Sequence, residues 1–375
     1  RVLNALLHDA GVKRSQCYVT NTVKCFTPNN AEPEPHQVHS CLPHLIEEVR
    51  TVKPNAILAL GELAMEVLTD QAGITRYRGS VLTAVDIFNG VKVIPTFHPA
   101  YIMRGNQEFW STVVRDIQVA WRESQYPEIR KTPTNYYVYS QIDEVTWNEI
   151  RRQLMNADNY ISFDIETPGT LLPWQGDIIG ISFGFGMGKA IHFSMRNPRE
   201  REIAVTILQG PARKVVQRGT FDCFYLKYHG IEVNNLWFDT KVAQHLIAPN
   251  LPNDLAYLAS VHTDVNYYKP KGRGSASITK MTADELAEYN NTDADVTWRI
   301  VEPLYNELRD GGQLPLFHRN MQLIPVISNM QLRGVRVDID AVEKELATIR
   351  RFLDSTEALF ASKGINIRSR AQIGE

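Results

Sequence analysis

Asp164 and Glu166 stand two residues apart in NYISFDIET, a run whose β-branched and aromatic residues mark a strand. Alternate strand residues share a face, so both carboxylates point to one side of a sheet. Brought together, two carboxylates repel unless a cation bridges them, and the hard ions Mg2+ and Mn2+ suit such oxygen donors. Alone, an Asp-x-Glu pair reads as a solvated strand edge, since a two-residue motif recurs by chance. Two later acids extend the set: Asp222, where KVVQRGTF gives way to a helix, and Asp293, within a long helix. Tyr289 lies four residues before Asp293 and shares its helix face, as a packed aromatic or as a working hydroxyl.

The elements around these residues alternate. Residues 15–121 run from a short β-rich segment (CYVTNTV) through the helical HSCLPHLIEEVRTV, the strand NAILALG, the helix ELAMEVL and the strand VKVIPTFHP. That alternation implies an α/β fold with a parallel sheet. Residues 122–135, with Pro127 and Pro133, read as a linker. Residues 136–310 hold the acidic set, a hairpin from IIGISFGFG to AIHFSM, and a long helix over roughly 283–308 that Thr282 and Glu285 open as a capping box. Residues 311–375 are mainly helical, broken by the strand-like GVRVD.

Composition narrows the classes. The 375 residues, 43% hydrophobic and 22% charged, suit two or three globular domains. No apolar run reaches the ~18–20 residues of a membrane span. A net charge of −2 excludes broad basicity, so any nucleic-acid site must be local. Four cysteines are too few for a disulfide framework. The chain starts at Arg1 in mid-helix and ends as a new element begins, which leads us to expect a fragment cut at both ends.

The order Asp-x-Glu, Asp, Tyr-x-x-x-Asp resembles the DEDD family of 3′→5′ exonucleases in its tyrosine version; the histidine version would carry His where Glu288 stands. With FDIET, FDT, QHLIAPN and YNNTDADVT, the stretch from about Tyr136 to Leu308 is similar to the proofreading domain of family A DNA polymerases. The resemblance implies an RNase H-like fold with a mixed sheet. It also implies removal of 3′-terminal nucleotides from single-stranded or frayed DNA with two Mg2+ or Mn2+ ions. Asp164 would bridge the ions, Glu166, Asp222 and Asp293 would complete their ligands, and Tyr289 with Glu166 would orient water. Thr167 and Leu171 fall where the family contacts the terminal nucleotide, a position that ordinary loop packing explains equally. Arg218 stands where the family usually has a DNA-contacting Asn, and an Arg there can grip a phosphate. YYKPKGRGS sets Lys269, Lys271 and Arg273 beside Tyr267 and Tyr268, as a single-strand-binding loop or a solvated one.

TFHPAYIMR, with YVTNTVKCFTPNN, SCLPHL, ALGELAMEVL and RYRGS, resembles the iron–sulfur-containing (family 4) uracil–DNA glycosylases over about residues 1–121. This implies a partial three-layer domain with a uracil pocket in which Asn21 reads the base edge, His98 stabilises the departing uracil anion and Arg104 lies near the backbone. On its own, His-Pro at a strand end is a turn. Cys25 and Cys41 match the second pair of cluster ligands, and otherwise read as inert thiols. The family's first motif and its other two cysteines would lie upstream. A [4Fe–4S] cluster is therefore expected only in a longer parent chain, and no glycosylase activity from this one. The segment LPLFHRNMQLIPVISNMQLRGVRVDIDAVEKEL resembles the passage from exonuclease into the polymerase thumb, giving a helical stub. The whole reads as a piece of a viral or bacterial replication or repair polymerase, with DNA as partner, a polymerase domain in cis, no membrane partner and a cytoplasmic location. The competing readings are a uracil-excising repair enzyme and a non-catalytic uracil-sensing or DNA-binding module tethered to a polymerase.

Overall fold

The computed structural model describes residues 1–27, 31–130, 132–169, 172–269 and 278–374, with Thr279 described by its backbone only. Residues 1–328 form one compact unit and residues 329–375 another.

In the first block the apolar run AILAL becomes β1 (Ala56–Leu60), and β2 (Leu82–Thr83) and β3 (Lys92–Thr96) complete a three-stranded sheet. β3 lies centrally, parallel to β1 and antiparallel to β2. Adjacent β3 residues serve opposite faces, as the strand period requires. Val93 packs with Leu45 and Met65, whereas Ile94 packs with Val119 and Ala120, giving helix, sheet and helix layers. Lys92 is buried in the same strand, where its ammonium meets Glu123 Oε2 at 3.2 Å and the carbonyls of Tyr126 and Glu128 at 2.7 and 3.0 Å. The linker is thereby tied to the first sheet.

CYVTNTV departs from its expected strand: residues 17–23 have no strand pairing. Tyr18 and Val19 are 60% and 43% exposed, and β-branched residues favour strands only where a pleated surface is half covered.

The second block builds a mixed six-stranded sheet from β4 (Asn135–Val138), β5 (Tyr160–Glu166), β6 (Gly180–Gly186), β7 (Lys189–Ser194), β8 (Arg213–Val216) and β9 (Leu236–Asp239). The order is β4-β7-β6-β5-β8-β9, with β6 antiparallel to both β5 and β7 as a meander, β4 parallel to β7, and β5, β8 and β9 parallel. Ile161, Phe163 and Ile165 of β5 enter a core with Phe183, Ile191 and Phe193. Each such ring or branched chain contributes about 1.5–3 kcal/mol when fully buried.

Ser162, Asp164 and Glu166 occupy the opposite face of β5. Helix Ala283–Arg299 covers that face, and Ser162 Oγ donates to Ala294 O at 2.5 Å. The expected capping box opens this helix: Thr282 Oγ1 accepts the Glu285 N–H (3.3 Å) and Glu285 Oε2 accepts the Thr282 N–H (2.8 Å). The expected single helix over 283–308 is two, Ala283–Arg299 and Val301–Asp310, joined at Ile300. Pro303 explains the break. It lacks the N–H that would bond the Arg299 carbonyl, and its ring crowds that oxygen, yet it is tolerated in the first turn of the second helix.

Residues 329–375 contain the end of helix Leu323–Arg333, then Ile339–Ala361, which Asp338 caps by accepting the Ala341 N–H at 3.0 Å, and Arg370–Ile373. GVRVD pairs with no strand. Among the described residues no helix is long and apolar enough to cross a membrane.

Helix and sheet approach closely at Gly184. A Cβ there would sit 2.6 Å from the Ala294 carbonyl oxygen. Gly184→Ala is expected to lower stability by about 1–3 kcal/mol through overpacking, read as a shift of the denaturation midpoint at unchanged slope.

Candidate functional site

The strand period and the overlying helix bring Asp164, Glu166 and Asp293 together, with ligand oxygens all within 4.8 Å of one another. Glu166 and Asp293 are buried and Asp164 is half-buried. Asp222 sits in the first turn of helix Gly219–Tyr228, where its Oδ1 accepts the Ile165 N–H at 3.4 Å. It lies outside the group of three but close enough to act on it electrostatically. Unit charges ~4 Å apart interact by about 4 kcal/mol at an effective dielectric of ~20, so three carboxylates this close resist joint ionisation. Burial first, and then the charge of Asp293, push the Asp164 carboxyl well above its usual range. The same two causes raise Glu166 to about 8, and burial raises Asp222 to about 8. Tyr289 faces the same acids, and burial and Asp293 raise its hydroxyl, so it stays a neutral phenol near pH 7.

Three side chains that the sequence did not place beside the acids complete the surroundings. Lys269 Nζ lies 2.5 and 2.6 Å from the two Asp293 oxygens and 2.9 Å from the Tyr289 hydroxyl. Tyr268 donates its hydroxyl to Asp293 Oδ1. Asn290 Nδ2 donates to Asp164 Oδ2 (2.8 Å) and to its carbonyl (3.2 Å), while Asn290 Oδ1 meets His192 Nδ1 at 3.1 Å. Tyr268 and Lys269 are thus partly buried and engaged inside the protein, neither solvated nor free as a DNA-binding loop. Only the basic character of YYKPKGRGS hinted at such a role. Leu171, Lys271 and Arg273 lie outside the described residues.

Thr167 is buried just past β5. Arg218 is exposed at the N-terminus of the Asp222 helix with a left-handed backbone (φ +68°), a region Asn adopts more readily than Arg. Its N–H and that of Gly219 donate to Asp239, at 3.3 and 2.7 Å. Asp239, the acid of FDT, also accepts the Lys241 and Val242 N–H groups, so it anchors the turn that presents Asp222.

In the first block, His98 lies two residues past β3 and caps the short helix Pro99–Met103, its Nδ1 accepting the Ala100 N–H at 3.1 Å. Burial and then the Arg104 charge lower its pKa, so the ring is neutral. With Nδ1 as acceptor, the proton is on Nε2, which is left as a donor. Gly61 (φ +91°) allows the close approach, since a Cβ there would lie 3.1 Å from His98 Cβ. Asn21 and Arg104 are exposed, and among the described residues no hydrogen bond joins them to each other or to His98. Cys25 is exposed. Cys41 is buried and its Sγ accepts the Lys24 N–H at 3.3 Å. Among the described residues neither belongs to a group of three candidate ligands, and two thiols do not fit a cluster that needs four.

Residues 1–122 match the uracil DNA glycosylase superfamily, and residues 141–309 match the 3′-5′ exonuclease family of A-type DNA polymerases. The type-4 uracil-DNA glycosylase of Thermotoga maritima is 37% identical over 122 residues, covering 32% of this chain and 62% of that protein. The DNA polymerase of Bacillus phage SP01 is 23% identical over 370 residues, covering 87% of this chain and 39% of its own length. DNA polymerase I of Chloroflexus aurantiacus is 27% identical over 255 residues, covering 62% and 26%. The chain therefore spans less than two thirds of each of these relatives. Among solved structures, the POL domain of Pol1 from M. smegmatis, in complex with DNA primer-template and dNTP, aligns at a TM-score of 0.46 and 16% identity, covering 64% of this chain and 40% of that one. Brucella melitensis NrnC with bound Mg2+ aligns at 0.41 and 20%, covering 56% and 98%.

Glu166 binds its proton more tightly folded than unfolded, so its contribution to ion-free stability falls as pH rises from about 4.5 to about 8. Glu166→Gln removes that titration. Chemical denaturation of both ion-free proteins is expected to show the variant gaining on the wild type through this window; a pH-independent difference would contradict the raised pKa.

Proposed function

We propose that this chain, which joins a uracil–DNA glycosylase superfamily domain to the 3′-5′ exonuclease domain of a family A DNA polymerase, hydrolyses the 3′-terminal phosphodiester of single-stranded or frayed DNA as a proofreading nuclease. The observation that carries this is the convergence of Asp164, Glu166 and Asp293 from a strand and a crossing helix. The donor set fits hard divalent ions: oxygen donors only, excess negative charge, and an ammonium already drawn to Asp293. Asp164, Glu166 and Asp293, with Asp222 beside them, would hold two Mg2+ or Mn2+ ions. The chemistry such ions would supply is activation of a water and stabilisation of the leaving 3′ oxygen.

The other residues position. Tyr289, a neutral phenol, orients the attacking water through its hydroxyl rather than by removing a proton. Glu166 shares that task. Asn290 holds the Asp164 carboxylate in place. Arg218 presents an exposed guanidinium to a backbone phosphate, and Thr167 flanks the terminal nucleotide. In the parent protein the nuclease serves a polymerase domain in cis, a reading supported by the phage polymerase that aligns over 87% of the chain.

Release of nucleotides from a 3′-labelled single strand with Mg2+ tests this. Direct ligands matter more than the outer partners whose loss costs ~10–100-fold, so Asp164→Ala is expected to lose more than about 100-fold and Tyr289→Phe about 10–100-fold. Equal rates in wild type and Asp164→Ala, or none in either, would sink the reading.

A second reading concerns the first domain and rests on His98, whose fixed tautomer offers Nε2–H to a base carbonyl. It is a uracil-sensing module that tethers the chain to template without excising the base. Uracil-containing DNA is expected to bind more tightly than its thymine counterpart, and His98→Ala to abolish the difference, with no alkali-labile sites appearing. Base release would instead make the domain a glycosylase.

A further inference from the structure

The segment that delivers Lys269 to the acidic site is gripped by the first domain. Asn266 pairs with the backbone of Val81 at both ends of its amide, Oδ1 accepting the Val81 N–H (2.7 Å) and Nδ2 donating to Val81 O (2.8 Å). The next N–H, of Tyr267, donates to Ser80 Oγ at 3.0 Å, and the Tyr267 ring meets Tyr77 edge-on at 5.3 Å. Arg78 secures the same junction. Its buried guanidinium holds Asp116 and donates to Ser260 Oγ at 2.7 Å. The two residues after this clamp are Tyr268 and Lys269, both bonded to Asp293.

Lys269 Nζ engages both oxygens of Asp293, the atoms a divalent ion would use. An ammonium and a divalent ion cannot share those lone pairs at 2.5 Å, and their like charges repel. Full displacement does not carry the lysine far, because two residues span at most ~7 Å beyond the pinned Tyr267. A tethered competitor of this kind acts at high effective concentration.

We propose that the glycosylase-like domain has a further function within the exonuclease. By clamping Asn266 and Tyr267 it holds Lys269 as an internal counter-ion on Asp293, which neutralises the ion-free site and must be displaced when a divalent ion binds. The docking of the first domain thereby sets the ion affinity of the second. This rests on the metal-site reading above.

Mn2+ binding to the full chain, read from the free-ion EPR signal, tests it. Lys269→Met is expected to bind Mn2+ roughly tenfold more tightly than wild type, Asn266→Ala to shift the same way by less, and Asp164→Ala to lose the site. Acetylation of wild-type lysines, followed by mass spectrometry, gives a readout that needs no variant. Lys269 should be protected without ions and become labelled with saturating Mn2+, while the exposed Lys13 is unchanged. Lys269 labelling independent of Mn2+, or equal Mn2+ affinity in wild type and a folded Lys269→Met, overturns the counter-ion role. Absence of Mn2+ binding to every protein overturns instead the metal site on which it rests.

Discussion

Crowded negative charge on one face of a sheet is the constraint around which the second block is arranged. Carboxylates within 4.8 Å of one another are tolerable only where protons, donors or cations offset them. Asn290 donates to Asp164, Tyr268 and Lys269 donate to Asp293, and the Ile165 N–H donates to Asp222. Each of these contacts requires helix Ala283–Arg299 to lie flat on the sheet or the Asp222 helix to start at its edge. Gly184 and the bond from Ser162 to Ala294 permit the first, and Asp239 the second. Packing and electrostatics are therefore one problem here, with the apolar face of β5 supplying the rigidity that holds its acidic face together.

The two sequence-level domains share a single compact unit because their junction is polar, buried and satisfied. Arg78 and Asp116 are both nearly inaccessible, and Thr96 Oγ1 donates to the same carboxylate at 2.7 Å. Breaking a buried pair of this kind costs about 3–5 kcal/mol, whereas an exposed pair such as Arg130 with Glu128 contributes little. Tyr257 meets Thr112 at 2.8 Å and Arg115 reaches the Val261 carbonyl at 3.1 Å. These last two contacts, like that of Arg78 with Ser260, fall on residues 257–267, so this part of the junction adjoins the segment that reaches the acids.

Much of this was legible locally. Period-two alternation placed Asp164 and Glu166 on one face of β5, and the Thr282–Glu285 spacing located the start of the crossing helix. The hairpin of β6 and β7 formed where aromatic alternation indicated it. Local reading failed where a neighbour decides. CYVTNTV has strand-forming residues but no strand to pair with, and the long helix breaks because Pro303 cannot serve the Arg299 carbonyl. Arg218 gave no local sign of its left-handed backbone.

The amino-acid sequence by itself determined which acids are present, their order, and the faces they share on one strand or one helix, because those follow from the fixed periods of local structure. It did not determine that Asp222 lies outside the close group of the other three, or that Lys269 rather than a solvated side chain meets Asp293. Those depend on how residues far apart in the chain pack, since packing sets both the distance between charges and the exclusion of water that makes the distance matter. Only the tertiary structure, by docking residues 266–267 against 77–81, decided that a lysine from a basic loop would become part of an acidic site.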